Sequence, residues 1–397
     1  MVAFVACGEP ERPAPPAKLE MIAADPDANE GARAIALEAG SDGLVRLSWI
    51  EPEAGGHALS FATLGAGEWG ETELVARGSD WFVNWADVPQ LCARPDGGLA
   101  ATFLRRSGSG AYDYDVRLTQ RALSGAWSEA RLLHDAFGHG EHGFVSLASL
   151  GEGRTLAAWL DGRAAGAHGE EGAMQLRART ISKSGELEPE ILVDPRVCDC
   201  CRTTLVALGS DEALLIYRDR SEGEVRDFSV VTLRGATASE PRPLWNDGWK
   251  IAGCPVNGAA AGASGKLVGV AWFTLGSENR ARVQVSFSTD RGASFDSPRE
   301  LSRRETDGFV DAALDADGVL WVTWLERVDR EHGEWMLAPV TVESVGERIV
   351  LAETTVGRAA GCAQVALNGD ELVFAWIEPG EASRVRAQLV RGLAALR

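Results

Sequence analysis

One hydrophobic pattern recurs along most of the chain: an apolar run, a short turn rich in Gly, Asp or Asn, then a second apolar run ending in an aromatic residue. It reads IALEAGSDGLVRLSWIE at its first occurrence, then LCARPDGGLAATFLR, LASLGEGRTLAAWLD, LVALGSDEALLIYRD, GAAAGASGKLVGVAWFT, AALDADGVLWVTWLE and VALNGDELVFAWIE. The closing aromatics are Trp49, Phe103, Trp159, Tyr217, Trp272, Trp324 and Trp376, spaced 52 to 58 residues apart. Each copy predicts a β-hairpin, because two strand-like runs flank a turn whose residues tolerate positive φ. A third alternating run follows every hairpin, and a short fourth run follows six of the seven. A period of this size with four strands per unit predicts a β-propeller blade.

The seventh unit ends at the C-terminus without its fourth strand. The segment KLEMIAADP, Lys18 to Pro26, carries a strand-like run at the other end of the chain. The expectation is an all-β, seven-bladed β-propeller, residues 18–397, in which the N-terminal strand completes the last blade and leaves no open sheet edge.

Composition narrows function mainly by exclusion. The 397 residues carry a net charge of -19, which argues against nucleic-acid partners, since the field would repel a phosphate backbone. Residues 1–17, MVAFVACGEPERPAPPA, read differently from the rest. A short apolar stub ends in small residues and Cys7, followed by a Pro-rich tether. This resembles the end of a bacterial lipoprotein signal, truncated at its start, and implies lipidation at Cys7. The expectation is a periplasmic, lipid-anchored protein of the bacterial envelope that touches the membrane through Cys7 alone, in a compartment where disulfides persist.

Propeller topology locates the candidate chemistry. Loops joining blades, and loops between second and third strands, open on one face around the central channel. The loop before blade 4, RVCDCCRTT, supplies Cys198, Cys200 and Cys201, and the loop before blade 5, IAGCPVNG, supplies Cys254. The loop before blade 3, FGHGEHGF, adds His139 and His142. Three chemistries compete for these residues. Structural disulfides come first, six cysteines besides Cys7 allowing fifteen pairings. The second is a soft-metal site for copper or zinc, with His139 and His142 as further ligands. The third is a redox pair at Cys200 and Cys201, whose arginine neighbours favour thiolate.

Beside them, YRDRSEGEVRDF joins the second and third strands of blade 4. Arg218, Arg220 and Arg226 alternate there with Asp219, Glu224 and Asp227, and could offer guanidinium forks to an anionic or sugar-acid ligand. Solvated, mutually paired charges are the competing reading. DGWKIAG adds Trp249 and Lys250, an aromatic and a cation suited to a glycan; Trp249 packed between blades is the alternative.

Two family signals appear. SFSTDRGASF fits the Asp-box turn of sialidase-like blades through Ser288, Asp290, Gly292, Ser294 and Phe295. The series VCDCCRTT, YRDRSEGEVRD and DGWKIAGCPVNG resembles a group of exported bacterial propellers described as sialidase-like or BNR-repeat proteins. That resemblance implies the fold and little about reaction. Sialidase catalysis needs a tyrosine nucleophile in the later blades, and the three tyrosines are Tyr112, Tyr114 and Tyr217. The expectation is therefore a ligand-binding propeller whose partner at the cysteine-rich face is a metal, small molecule or glycan. An exported glycoside hydrolase and an envelope protein-interaction scaffold are the alternatives.

Overall fold

The computed structural model describes residues 18–40, 42–135, 140–165 and 172–397. The lipidation reading of Cys7, the tether and His139 lie outside them. Seven antiparallel sheets follow one another along the chain, six built from strands in sequence order with the first innermost and the seventh completed by the N-terminal strand. First strands line a central channel of about 430 Å³, walled mostly by small and apolar side chains such as Ala36, Leu147, Ala261 and Ala366.

Closure occurs as the repeat count requires. Blade 7 contributes Gln364–Asn368, Glu371–Glu378 and Arg384–Arg391, and Glu20–Ala23 pairs with the last of these, Glu20 opposite Arg391 and Ala23 opposite Gln388. The outermost strand thus comes from the opposite end of the chain, which joins first and last blades without a loose edge. Blade 4 departs from the pattern. Its fourth position is split into Thr237–Ala238 and Arg242–Pro243, because Pro241 and Pro243 have no N–H to continue a ladder.

The aromatics closing the second strands form the inter-blade core, with Trp49, Trp159, Trp272 and Trp324 fully buried. A buried indole N–H needs an acceptor. Residues i and i+2 of a strand share a face, so three blades place a carboxylate two positions on. Trp49 donates to Glu51 (3.3 Å), Trp159 to Asp161 (2.8 Å) and Trp324 to Glu326 (3.0 Å). Trp272 reaches Asp247 of a neighbouring loop instead, at 2.8 Å.

The Asp box is a turn between third and fourth strands, on the face away from the cysteine loops. Asp290 accepts from Ser288 Oγ (2.7 Å), Ser294 N (2.8 Å) and Ser294 Oγ (2.6 Å), while Phe295 packs on the core between blades 4 and 5. These bonds, first that from the Ser294 hydroxyl, hold the Asp290 carboxyl down at about 2. Asp290→Ala should lower unfolding free energy by about 1–2 kcal/mol, measured by urea denaturation. Since the folded value lies below the unfolded one of roughly 3.9, the contribution is complete above that pH and disappears as pH falls through about 2.

Candidate functional site

The cysteine loop crosses one end of the propeller, leaving the outer strand of blade 3 (Ile191–Val197) and entering the inner strand of blade 4 (Thr204–Ala207). Two backbone links seat it. Val197 bridges to Asp219, and Cys198 N donates to Arg218 O at 3.1 Å. Gly258, in the loop before blade 5, lets that loop approach: a Cβ there would stand 2.7 Å from Arg202 O.

Inside the loop, the Cys198 sulfur lies 3.7 Å from that of Cys201 and 4.0 Å from that of Cys200. All three are buried. Exposed Cys254, from the loop before blade 5, lies on the Cys200 side of the cluster, outside the buried triad. Arg226 Nη1 donates to Cys198 Sγ at 3.3 Å. Hydrogen bonding with Cys200 and Cys201, then the Arg218 and Arg226 charges, hold the Cys198 thiol well below its ordinary value. Burial pushes Cys201 up to about 12, and hydrogen bonding with Cys198, Cys201 and Cys254 pushes Cys200 up. Three buried sulfurs and one guanidinium thus share one site, with Cys198 the most acidic of the three thiols. The six described cysteines are free thiols. Cys362 shares with Cys200 the wall of a small space at the channel mouth, and Cys92 is buried within a strand of blade 2.

The arginine loop does lie beside the cysteines, but its guanidinium groups are committed within the protein. Arg218 is only 2% exposed. It donates to the carbonyls of Asn257 (3.0 and 3.2 Å), Arg226 (2.8 Å) and Phe273 (2.9 Å), with its carbon 4.1 Å from the Phe228 ring centre and 4.7 Å from that of Trp249. It ties blades 4 and 5 together and presents no fork to a ligand. Arg220 pairs with Asp199 (3.1 Å) and Glu224 (2.9 Å), and Arg226 with Glu224 (2.9 Å). Asp219 accepts from Ser229 Oγ (3.0 Å), and Asp227 from the backbone of Gly248 and Trp249. Trp249 is buried, which removes it as an exposed platform; Lys250 remains exposed. The mutually paired reading of this loop is the one the geometry matches.

His142 is not a neighbour of the thiols. It sits at the seam of blades 2 and 3, stacked on His134 with ring centres 4.0 Å apart and flanked by Asp115 and Asp161.

Sequence reasoning also missed a buried acid network near the channel mouth. Tyr114 Oη donates to Glu141 (2.8 Å) and approaches Asp87 at 3.2 Å, while Asp87 accepts from Phe144 N (2.8 Å). Burial raises Asp87 to about 8 and Glu141 to about 7. Folded values above unfolded ones mean their stabilisation is complete below about pH 4 and disappears as pH rises through 7 to 8. Asp87→Asn should therefore flatten the fall in urea midpoint between pH 5 and pH 8. An unchanged slope would remove Asp87 from this role.

No family model matches the chain, and no curated protein matches its sequence. Solved structures do resemble it. The BP39L lectin from Burkholderia pseudomallei aligns with a TM-score of 0.60 at 10% identity, over 90% of this chain and 96% of the lectin. Polysaccharide lyase Uly1 gives 0.53 at 8% identity, covering 90% of each chain. The GH93 α-L-arabinofuranosidase of Fusarium graminearum gives 0.50 at 13% identity, over 94% and 98%. The chain is a seven-bladed β-propeller of the architecture these proteins share. Sugar-binding and sugar-cleaving proteins on one architecture establish fold alone.

Proposed function

We propose that this protein is a metal-binding propeller of the bacterial envelope, holding a thiophilic d10 ion, copper(I) or zinc(II), on Cys198, Cys200 and Cys201 with Cys254 as the outer ligand. The observation that supports it is the spacing of the buried sulfurs. Around a tetrahedral ion with metal–sulfur bonds of about 2.3 Å, sulfurs stand about 3.8 Å apart. The separations here are 3.7 and 4.0 Å.

Charge supports the same reading. Ion entry would displace the thiol protons of the cluster. Arg226 on the Cys198 sulfur would offset part of the negative charge of a multi-thiolate centre. Asp199, between the ligands, stays outside as the partner of Arg220 and so fixes the loop.

Anaerobic titration of the reduced full chain against a chromophoric competitor tests this. One equivalent of copper(I), with the corresponding loss of titratable thiols, is expected. Absence of stoichiometric binding by reduced, folded protein would refute it.

A further inference from the structure

The seam of blades 2 and 3 holds a second cluster that the thiolate reading does not use. Asp115 lies at the start of the third strand of blade 2 (Tyr114–Arg121), His134 just after the fourth (Arg131–Leu132), and His142 opens the first strand of blade 3 (His142–Ser149). Separate elements therefore carry three donors to one point. Asp115 Oδ1 stands 3.5 Å from His134 Nε2 and 3.5 Å from His142 Nδ1, and one donor atom from each residue falls within 4.8 Å of the others. His134 and His142 are 2% and 1% exposed, and Asp115 8%.

Hydrogen bonds between nitrogen and oxygen are commonly 2.7–3.2 Å long, so separations of 3.5 Å are slack for direct bonding. They match instead the spacing of ligands around a tetrahedral ion. Bonds of about 2.0–2.2 Å to nitrogen and oxygen put neighbouring donors about 3.3–3.6 Å apart. His142 Nδ1, the atom that faces Asp115, also lies 3.3 Å from Tyr114 O, again longer than a usual hydrogen bond. The ring's other nitrogen, Nε2, is buried without a hydrogen-bond partner on the side of Asp161. Asp161 Oδ1 lies 3.6 Å beyond Nε2, but Arg163 and the Trp159 indole already engage that carboxylate. An outer cleft lined by Arg117, Leu132, His134 and Asp135 gives an ion a way in.

We propose that Asp115, His134 and His142 form a second metal site that takes a borderline divalent ion such as zinc(II) or cobalt(II). Its two imidazoles and one carboxylate are harder donors than thiolates, so it disfavours the copper(I) that suits the sulfur cluster. The two sites bind independently.

Cobalt(II) is the probe, because thiolate ligation adds intense charge-transfer absorption that nitrogen and oxygen ligation lacks. With Cys198, Cys200 and Cys201 all changed to Ser, the folded chain should still bind one equivalent of cobalt(II), with ligand-field bands and without the thiolate band. Adding His142→Gln should weaken that binding at least 100-fold. In the unsubstituted chain, His142→Gln should remove the thiolate-free component and leave the thiolate band intact, a readout that survives if the triple variant fails to fold. Absence of that component, or binding indifferent to His142→Gln and to His134→Gln, would overturn the proposal. Loss of the thiolate band in the unsubstituted chain would instead count against the sulfur site.

Discussion

Cys200→Ser should abolish stoichiometric binding of copper(I). Cys200 lies 4.0 Å from the Cys198 sulfur and on the side of the triad nearer Cys254. A serine hydroxyl fits the space but neither ionises near neutral pH nor offers a soft donor, so the site would lose one of its buried sulfur ligands. Losing even a group that only orients a ligand costs about 10–100-fold in metal affinity, and losing a ligand should exceed that. The informative control is Cys362→Ser. Cys362 shares the wall of the adjoining space with Cys200 yet stands outside the triad, so its variant should keep wild-type affinity within about 2-fold. The reverse pattern, with Cys362 essential and Cys200 dispensable, would move the site to the channel mouth.

Arg218→Ala should be the most destabilising single change in blade 4. Three backbone carbonyls from two blades receive the guanidinium, and Phe228 and Trp249 cover its faces. Truncation leaves those carbonyls buried without donors, each worth about 1–3 kcal/mol, and opens a cavity between the rings. A loss of about 4 kcal/mol or more is expected, read from urea midpoints at constant slope. Arg218→Lys should recover little, because a point-like ammonium cannot reach three carbonyls spread around a planar fork. A loss below about 1 kcal/mol, accompanied by impaired binding of an anion, would restore the ligand role that the charge pattern first suggested.

The architecture was legible because a period of 52 to 58 residues with a missing final strand leaves few alternatives. Lys18 to Pro26 had to go somewhere, and the unpaired edge of blade 7 was the place its strand pattern fitted. The same topology placed Cys198, Cys200 and Cys201 in one loop with Cys254 on a neighbouring one, since interblade loops share a face. What topology cannot supply is the direction of a side chain within a loop. Alternating arginines and acids look alike whether the guanidinium meets solvent, a carboxylate or a carbonyl. Arg220 met carboxylates and Arg218 met carbonyls. His142 was misplaced for a related reason. It follows Glu141 in the segment joining blades 2 and 3, which topology predicts to open toward the channel, yet its pairing with Asp161 turns it into the seam between blades. His134 ends an unremarkable strand run, and only its three-dimensional approach to Asp115 sets it apart.

The most direct measurement of the central claim is X-ray absorption at the copper or zinc edge of stoichiometrically loaded, reduced protein whose second site is removed by His142→Gln. The sulfur cluster predicts an inner shell of three to four sulfur atoms, at about 2.3 Å for zinc. A shell of nitrogen and oxygen alone, or one unchanged when Cys198, Cys200 and Cys201 are replaced together, would contradict it.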